Sequence, residues 1–174
     1  MLRMCLSAAK RCSEQMKRAT DKTNVMRLLD QHNIPYESRC YADTDALSGT
    51  EVAAALGEDP DQVFKTLVTV GHTGGHYVFM IPVAEELDLK KAAKAVGEKS
   101  IVMIKAKELL PLTGYIHGGC SPIGMKKPFE TVIDETVELF DTFFFSAGKI
   151  GWQVEVSPEA LRGILDYKTA DLVV

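Results

Sequence analysis

The chain reads as a mixed α/β (α+β) domain, with a mostly antiparallel sheet that is curled or closed into a barrel and flanked by helices. Three observations predict this. Segments 64–70 and 76–83 are apolar and rich in β-branched or aromatic residues, as strands are. The tetrad HTGG between them is short and glycine-rich, so the two strands pair as an antiparallel hairpin. Strands and helices then follow in an order too irregular for a doubly wound sheet, and no GxGxxG follows a strand.

In 23–33, TNVMRLLDQHN, Val25, Leu28 and Leu29 recur at helical spacing and Met26 widens the stripe. IPYESRCY then reads as a short strand with Pro35 at its entry. SGTE at 48–51 is a capping-box pattern that opens a helix, and Gly57 stops it. After the hairpin, 87–96 is a lysine-faced helix closed by Gly97, and 100–104 is a strand. A short helix over 105–110 is expected to end at Pro111, because the residue before a proline is driven away from helical geometry. Segments 130–134, 141–146 and 152–156 read as three more strands. SPEALRGIL, 157–165, starts a helix with serine at the N-cap and Pro158 at the first helical position.

Composition bounds the function. The 174 residues suit one domain, with 46% hydrophobic and 25% charged residues. Residues 21–174 form the expected domain. Residues 1–20 form an expected extension, basic and weakly apolar, which reads as a disordered leader, a start placed upstream of Met16, or an organelle transit peptide rather than a secretory signal. No apolar run approaches the ~18 residues of a membrane span. The four cysteines show no CxxC spacing, so reduced thiols in a cytoplasmic protein are expected. A net charge of −4 opposes non-specific coating of nucleic acid but allows a local basic surface.

The stretch GYIHGGCSPIGMKKP, 114–128, concentrates the chemistry. Cys120 is either a nucleophile activated by His117 or a small buried thiol; catalytic partners usually come from distant segments, which favours the second. Ser121 does not fit a G-x-S-x-G elbow, since proline follows it. His72 and His76 flank a turn, so no metal site is expected there. Gly118 and Gly119 let backbone N–H groups approach a ligand, as in an oxyanion hole, or they simply make a tight turn. Lys65, inside the apolar run VFKTLVTV, is either a snorkelling edge residue or a fixed charge in a pocket. Residues 146–151, SAGKIG, form a second small-residue turn after a strand.

VFKTLV, LDLKKAAKAVG, TGYIHGGCSPIGMKKPFETVIDE and SAGKIGWQVEVSPEAL, in this order, resemble the YbaK/EbsC family, freestanding relatives of the prolyl-tRNA synthetase editing domain. The resemblance spans residues 21–174 and points to the Cys-tRNA(Pro)/Cys-tRNA(Cys) deacylase branch. It implies the editing-domain fold and hydrolysis of a mischarged aminoacyl-tRNA at its 3′ aminoacyl-adenosine end. Cysteine and proline are close in size, and a synthetic pocket separates such pairs poorly. The resemblance makes Lys65, Gly118 and Gly119 catalytic. It assigns Tyr41, Thr66, Ser121, Pro122, Gly124, Ser146 and Gly148 to the substrate, and it implies neither a cofactor nor a protein nucleophile. Prolyl-tRNA synthetase is the implied partner. Lys126 and Lys127, and less so Lys90, Lys91, Lys94 and Lys99, are the expected tRNA contacts. Two positions depart from the pattern. Cys120 stands where relatives carry a small aliphatic residue, and Gln153 where they often carry aspartate. Deacylation of Ala-tRNA(Pro), or a non-catalytic tRNA- or synthetase-binding module, are the alternatives.

Overall fold

The computed structural model describes residues 22–174. The expected extension over 1–20, with Cys5 and Cys12, lies outside the described residues. Helix α1 (Asn24–Gln31) begins at Thr23, whose hydroxyl accepts the Met26 N–H, and it buries Val25, Met26 and Leu29. Strand β1 (Glu37–Cys40) follows. Helix α2 (Gly49–Leu56) has the full capping box: Ser48 accepts from Glu51 N–H while the Glu51 carboxylate accepts from Ser48 N–H. Strands β2 (Phe64–Gly71) and β3 (His76–Pro82) form the expected antiparallel hairpin. Helix α3 (Leu89–Ala95), strand β4 (Ile101–Met103), helix α4 (Ala106–Thr113) and strand β5 (Glu130–Asp134) come next. A 3-10 turn (Glu135–Leu139) leads to β6 (Phe143–Ser146), β7 (Trp152–Val156), α5 (Pro158–Leu161) and β8 (Tyr167–Ala170).

The expected mostly antiparallel curled architecture takes the form of two sheets that meet. One runs β1-β7-β6, antiparallel throughout. The other runs β4-β2-β3-β5-β8, antiparallel at β4-β2-β3 and parallel at β3-β5-β8. They join where Val63 pairs with Phe144, and the Phe144 N–H donates to the Gln62 carbonyl at 3.0 Å. The wrap is thus barrel-like along one edge.

Both faces of the larger sheet are buried, which explains its continuous apolar runs. Val78 and Met80 face a large core shared with α1, β6 and β7. Phe79 and Ile81, the alternate residues of β3, face a smaller core capped by Ala92 and Ala93 of α3. Phe64 of β2 meets Phe143 of β6 edge-to-face at 5.3 Å across the junction, a pairing worth about 0.5–1.5 kcal/mol beyond burial.

Three expectations need correction. Helix α4 runs through Pro111 to Thr113 and ends at Gly114 in left-handed geometry. Its entry is held by Glu108, which accepts the Lys105 N–H at 2.8 Å, and its exit by the Gly114 N–H on the Leu110 carbonyl. Helix α5 stops at Leu161, and residues 162–164 continue only as turns. Strand β8 was not expected; its place is set by parallel pairing with β5.

Candidate functional site

A cavity of about 450 Å³ opens between β2, α2, α4, the 114–128 loop and strands β6 and β7. Phe64, Val68, Leu109 and Phe145 make its apolar walls. Among the residues singled out from the sequence, Tyr41, Lys65, Thr66, Gly118 and Ser146 line it. Segments remote in sequence therefore converge on one concavity, the form that small-molecule sites take.

Lys65 sits on the hairpin with its backbone opposite Ile81. Phe64 and Val68 belong to the large core and Leu67 packs on the smaller one, so strand alternation sends Lys65 the way of Leu67. Its long stem brings the ammonium to the rim, where Nζ donates to the Val83 carbonyl at 3.3 Å. Val83 itself lines the cavity. Burial pulls the ammonium below the usual lysine range, and Glu86 and Glu85 pull it partly back. Thr66, on the Phe64 face, carries a buried hydroxyl that has no hydrogen-bond partner among the described residues.

In the loop, Gly118 takes a φ of 85° and spends its N–H on no other described residue. Gly119 differs. Its N–H donates to the Ile116 carbonyl at 3.0 Å, closing a turn, and the residue does not line the cavity. In this conformation the N–H that the sequence offered as an oxyanion donor is thus already engaged. The buried Cys120 lines the cavity, and its own N–H is likewise unspent.

Cys120 carries no sign of activation. Burial pushes its thiol up to about 12, so it stays protonated at neutral pH. His117 also lines the cavity, but it makes no hydrogen bond to a thiol or hydroxyl among the described residues. The buried-thiol reading of Cys120 fits this geometry.

Gly124 and Gly148 are packing glycines around Tyr115. The Tyr115 hydroxyl donates to the Ile123 carbonyl, and burial pushes it up to about 12. A Cβ at Gly124 (φ 75°) would stand 2.8 Å from the Tyr115 hydroxyl, and one at Gly148 (φ 82°) would stand 2.9 Å from its ring. Neither residue lines the cavity. The Gly148 N–H donates to Ser146 Oγ at 3.2 Å, which fixes the hydroxyl of a residue that does. Ser121 is fully buried, its hydroxyl has no hydrogen-bond partner among the described residues, and it too is off the cavity lining. Pro122, Gly124 and Lys127 line a separate concavity of about 680 Å³ with Leu28 and Tyr167. Lys127 lies 5.4 Å from the Phe129 ring centre, and Lys126 donates to the Pro111 carbonyl at 3.3 Å. Neither lysine lines the cavity that holds Lys65. Of the α3 lysines, Lys91 is tied to Asp171 and to the Val173 carbonyl.

Two side chains escaped the sequence reading as a pair. Gln153 on β7 is 4% exposed and lines the cavity, and its amide nitrogen donates to Glu58 just beyond α2. Burial pushes the Glu58 carboxyl up, Gln153 and Arg39 pull it down, and Glu155 adds to the rise. The two residues are 95 positions apart, so no local spacing could have joined them.

Comparison with known proteins agrees with this architecture. The family described as "Aminoacyl-tRNA editing domain" matches residues 44–164. EbsC of Enterococcus faecalis, a candidate Cys-tRNA(Pro)/Cys-tRNA(Cys) deacylase by name, is 46% identical over 157 residues, covering 90% of this chain and 96% of EbsC. A proline–tRNA ligase of Pelobacter propionicus is 33% identical over 93 residues, 53% of this chain and 16% of the ligase. Among solved structures, a candidate trans-editing enzyme for prolyl-tRNA synthetase superposes with a TM-score of 0.74 at 27% identity, covering 86% of this chain and 94% of the other. With a match that takes in the capping box of α2, the hairpin, the loop and β7, the chain belongs to the aminoacyl-tRNA editing domain family.

Proposed function

We propose that this cavity removes a misattached amino acid from the 3′ end of tRNA, and that its principal substrate is Cys-tRNA(Pro). Family membership and the likeness to EbsC support aminoacyl-tRNA deacylation. The observation that carries the finer reading is that Lys65 and Gly118 converge on a cavity whose thiol, Cys120, is held protonated by burial and is not hydrogen-bonded to His117.

The substrate then supplies the nucleophile. The sulfur of the attached cysteine attacks its own ester carbonyl, the C–O bond to the ribose breaks, and the thiol proton passes to the departing 3′ oxygen. The β-thiolactone so formed opens in water to free cysteine. Holding sulfur and carbonyl together is the main contribution of the apolar walls, and such proximity is worth about 7–11 kcal/mol at best. The unspent N–H of Gly118, with that of Cys120 as its second donor, takes the developing oxyanion. Lys65 exchanges the Val83 carbonyl for a phosphate or ribose oxygen of the terminal adenosine at the rim. Tyr41, Thr66 and Ser146 shape the space around the amino acid. The likeness to a synthetase-linked editing enzyme supports action beside prolyl-tRNA synthetase, which would supply recognition of the tRNA body.

Single-turnover deacylation of Cys-tRNA(Pro) tests this. Lys65→Ala is expected to lose the activity and Cys120→Ala to keep most of it. If the Cys120 variant were as inactive as the Lys65 variant, a protein thiol would replace the substrate thiol in the mechanism.

A further inference from the structure

The Glu58–Gln153 pair has a chemical consequence for what the cavity can recognise. Gln153 is almost wholly buried, yet it forms part of the cavity wall, so its amide meets whatever enters. Its nitrogen end is committed to Glu58 Oε2. A carboxyl oxygen that accepts from an amide takes it by the NH2 end, as Glu58 Oε2 does here. The carbonyl oxygen, Gln153 Oε1, is thereby turned away from Glu58 as a fixed acceptor.

Glu58 Oε1 is buried with no partner, and no ion pair to Glu58 is formed among the described residues. The nearby cation, Arg39, is engaged by Glu37 at 3.3 Å and Glu155 at 3.2 Å. This wall of the cavity thus offers an oriented acceptor, Gln153 Oε1, held from behind by a partly buried carboxyl group, the complement of an amine.

Resting on the deacylase reading above, the geometry points to Gln153 as the group that recognises the α-amino group of the aminoacyl ester, with Glu58 as the residue that positions it. The α-amine donates N–H in either protonation state, so the contact does not require it to be charged. An ester that lacks the amine leaves Gln153 Oε1 and Glu58 desolvated without compensation, and sites of that kind reject analogues that lack the matching group.

The experiment compares matched esters on one tRNA: cysteinyl against 3-mercaptopropionyl, and alanyl against propionyl. Each rate is divided by the spontaneous hydrolysis rate of the same ester, which removes the intrinsic activation by the amine. The wild type is expected to prefer the amine-bearing ester by about tenfold, the discrimination due to one hydrogen bond whose buried acceptor is otherwise left unmet. Glu58→Gln and Gln153→Leu are expected to bring the ratio close to one. The exchanged double variant Glu58→Gln/Gln153→Glu, which returns an acceptor to the cavity with an amide behind it, is expected to restore the preference. A purely structural pair would change overall rates and leave the ratio alone. The inference is overturned if the wild-type ratio is near one, or if both single variants keep the full preference. Should Gln153→Leu not fold, the near-isosteric Glu58→Gln decides. Cleavage of the amine-bearing ester without preference refutes only this inference, whereas no cleavage of any of the four esters overturns the deacylase reading as well.

Discussion

The role proposed for Lys65 comes with a thermodynamic cost. Its folded-state pKa is lowered, chiefly by burial, so the charged form is less comfortable in the fold than in the unfolded chain. That penalty is present wherever Lys65 is charged in the unfolded chain, and it disappears above the ordinary lysine value of 10.5. Lys65→Met should therefore abolish deacylation while raising Tm at pH 7, and the gain should vanish at strongly alkaline pH; calorimetry with a parallel activity assay checks both. Cys120 shifts in the other direction. Its folded value of about 12 exceeds the ordinary 9.0, so the folded state holds the proton more tightly. The stability this contributes is complete below pH 9 and is lost as pH rises towards 12. Between pH 8 and pH 10.5, the denaturation midpoint of Cys120→Ala should fall less than that of the wild type. Gly124→Ala should destabilise by at least about 1–2 kcal/mol, the cost of left-handed geometry for a residue with a Cβ, with the Tyr115 hydroxyl adding to it. A urea titration with an unchanged midpoint would remove its packing role.

The secondary structure was legible wherever local chemistry sets it. The capping box at Ser48 and Glu51, the stop at Gly57, the HTGG hairpin and the Ser157–Pro158 helix start all stand as the residues suggest. What failed depended on long-range partners. Tyr167–Ala170 becomes a strand because β5 offers a parallel edge, a fact absent from the segment itself. Pro111 did not end α4, because Glu108 and Gly114 secure the helix on either side of it. Ser48 matters twice, as the cap of α2 and as part of the cavity wall. Ser48→Ala should cost about 0.5–2 kcal/mol of stability, the usual loss of an N-cap, read as a lower denaturant midpoint at constant slope.

Across the whole molecule, the division of labour became visible only in three dimensions. The motif around 118–124 reads as one functional unit in sequence, yet the fold splits it. Gly118 and Cys120 face the cavity, Gly119 closes a turn, and Pro122 and Gly124 face a different concavity. Lys65 was legible because a lysine in an apolar strand is conspicuous. Glu58 was not, because an acidic residue after a helix is unremarkable until β7 brings Gln153 to it. The junction of the two sheets at Val63 places these pieces around one space.

The central claim is that the cavity positions a substrate whose own thiol performs the attack. The most direct measurement is the single-turnover rate of tRNA(Pro) deacylation with cysteine, serine and alanine esters of the same tRNA. The cysteine ester is expected to be cleaved much faster than the other two, with serine no better than alanine. Equal rates for the three esters would contradict it.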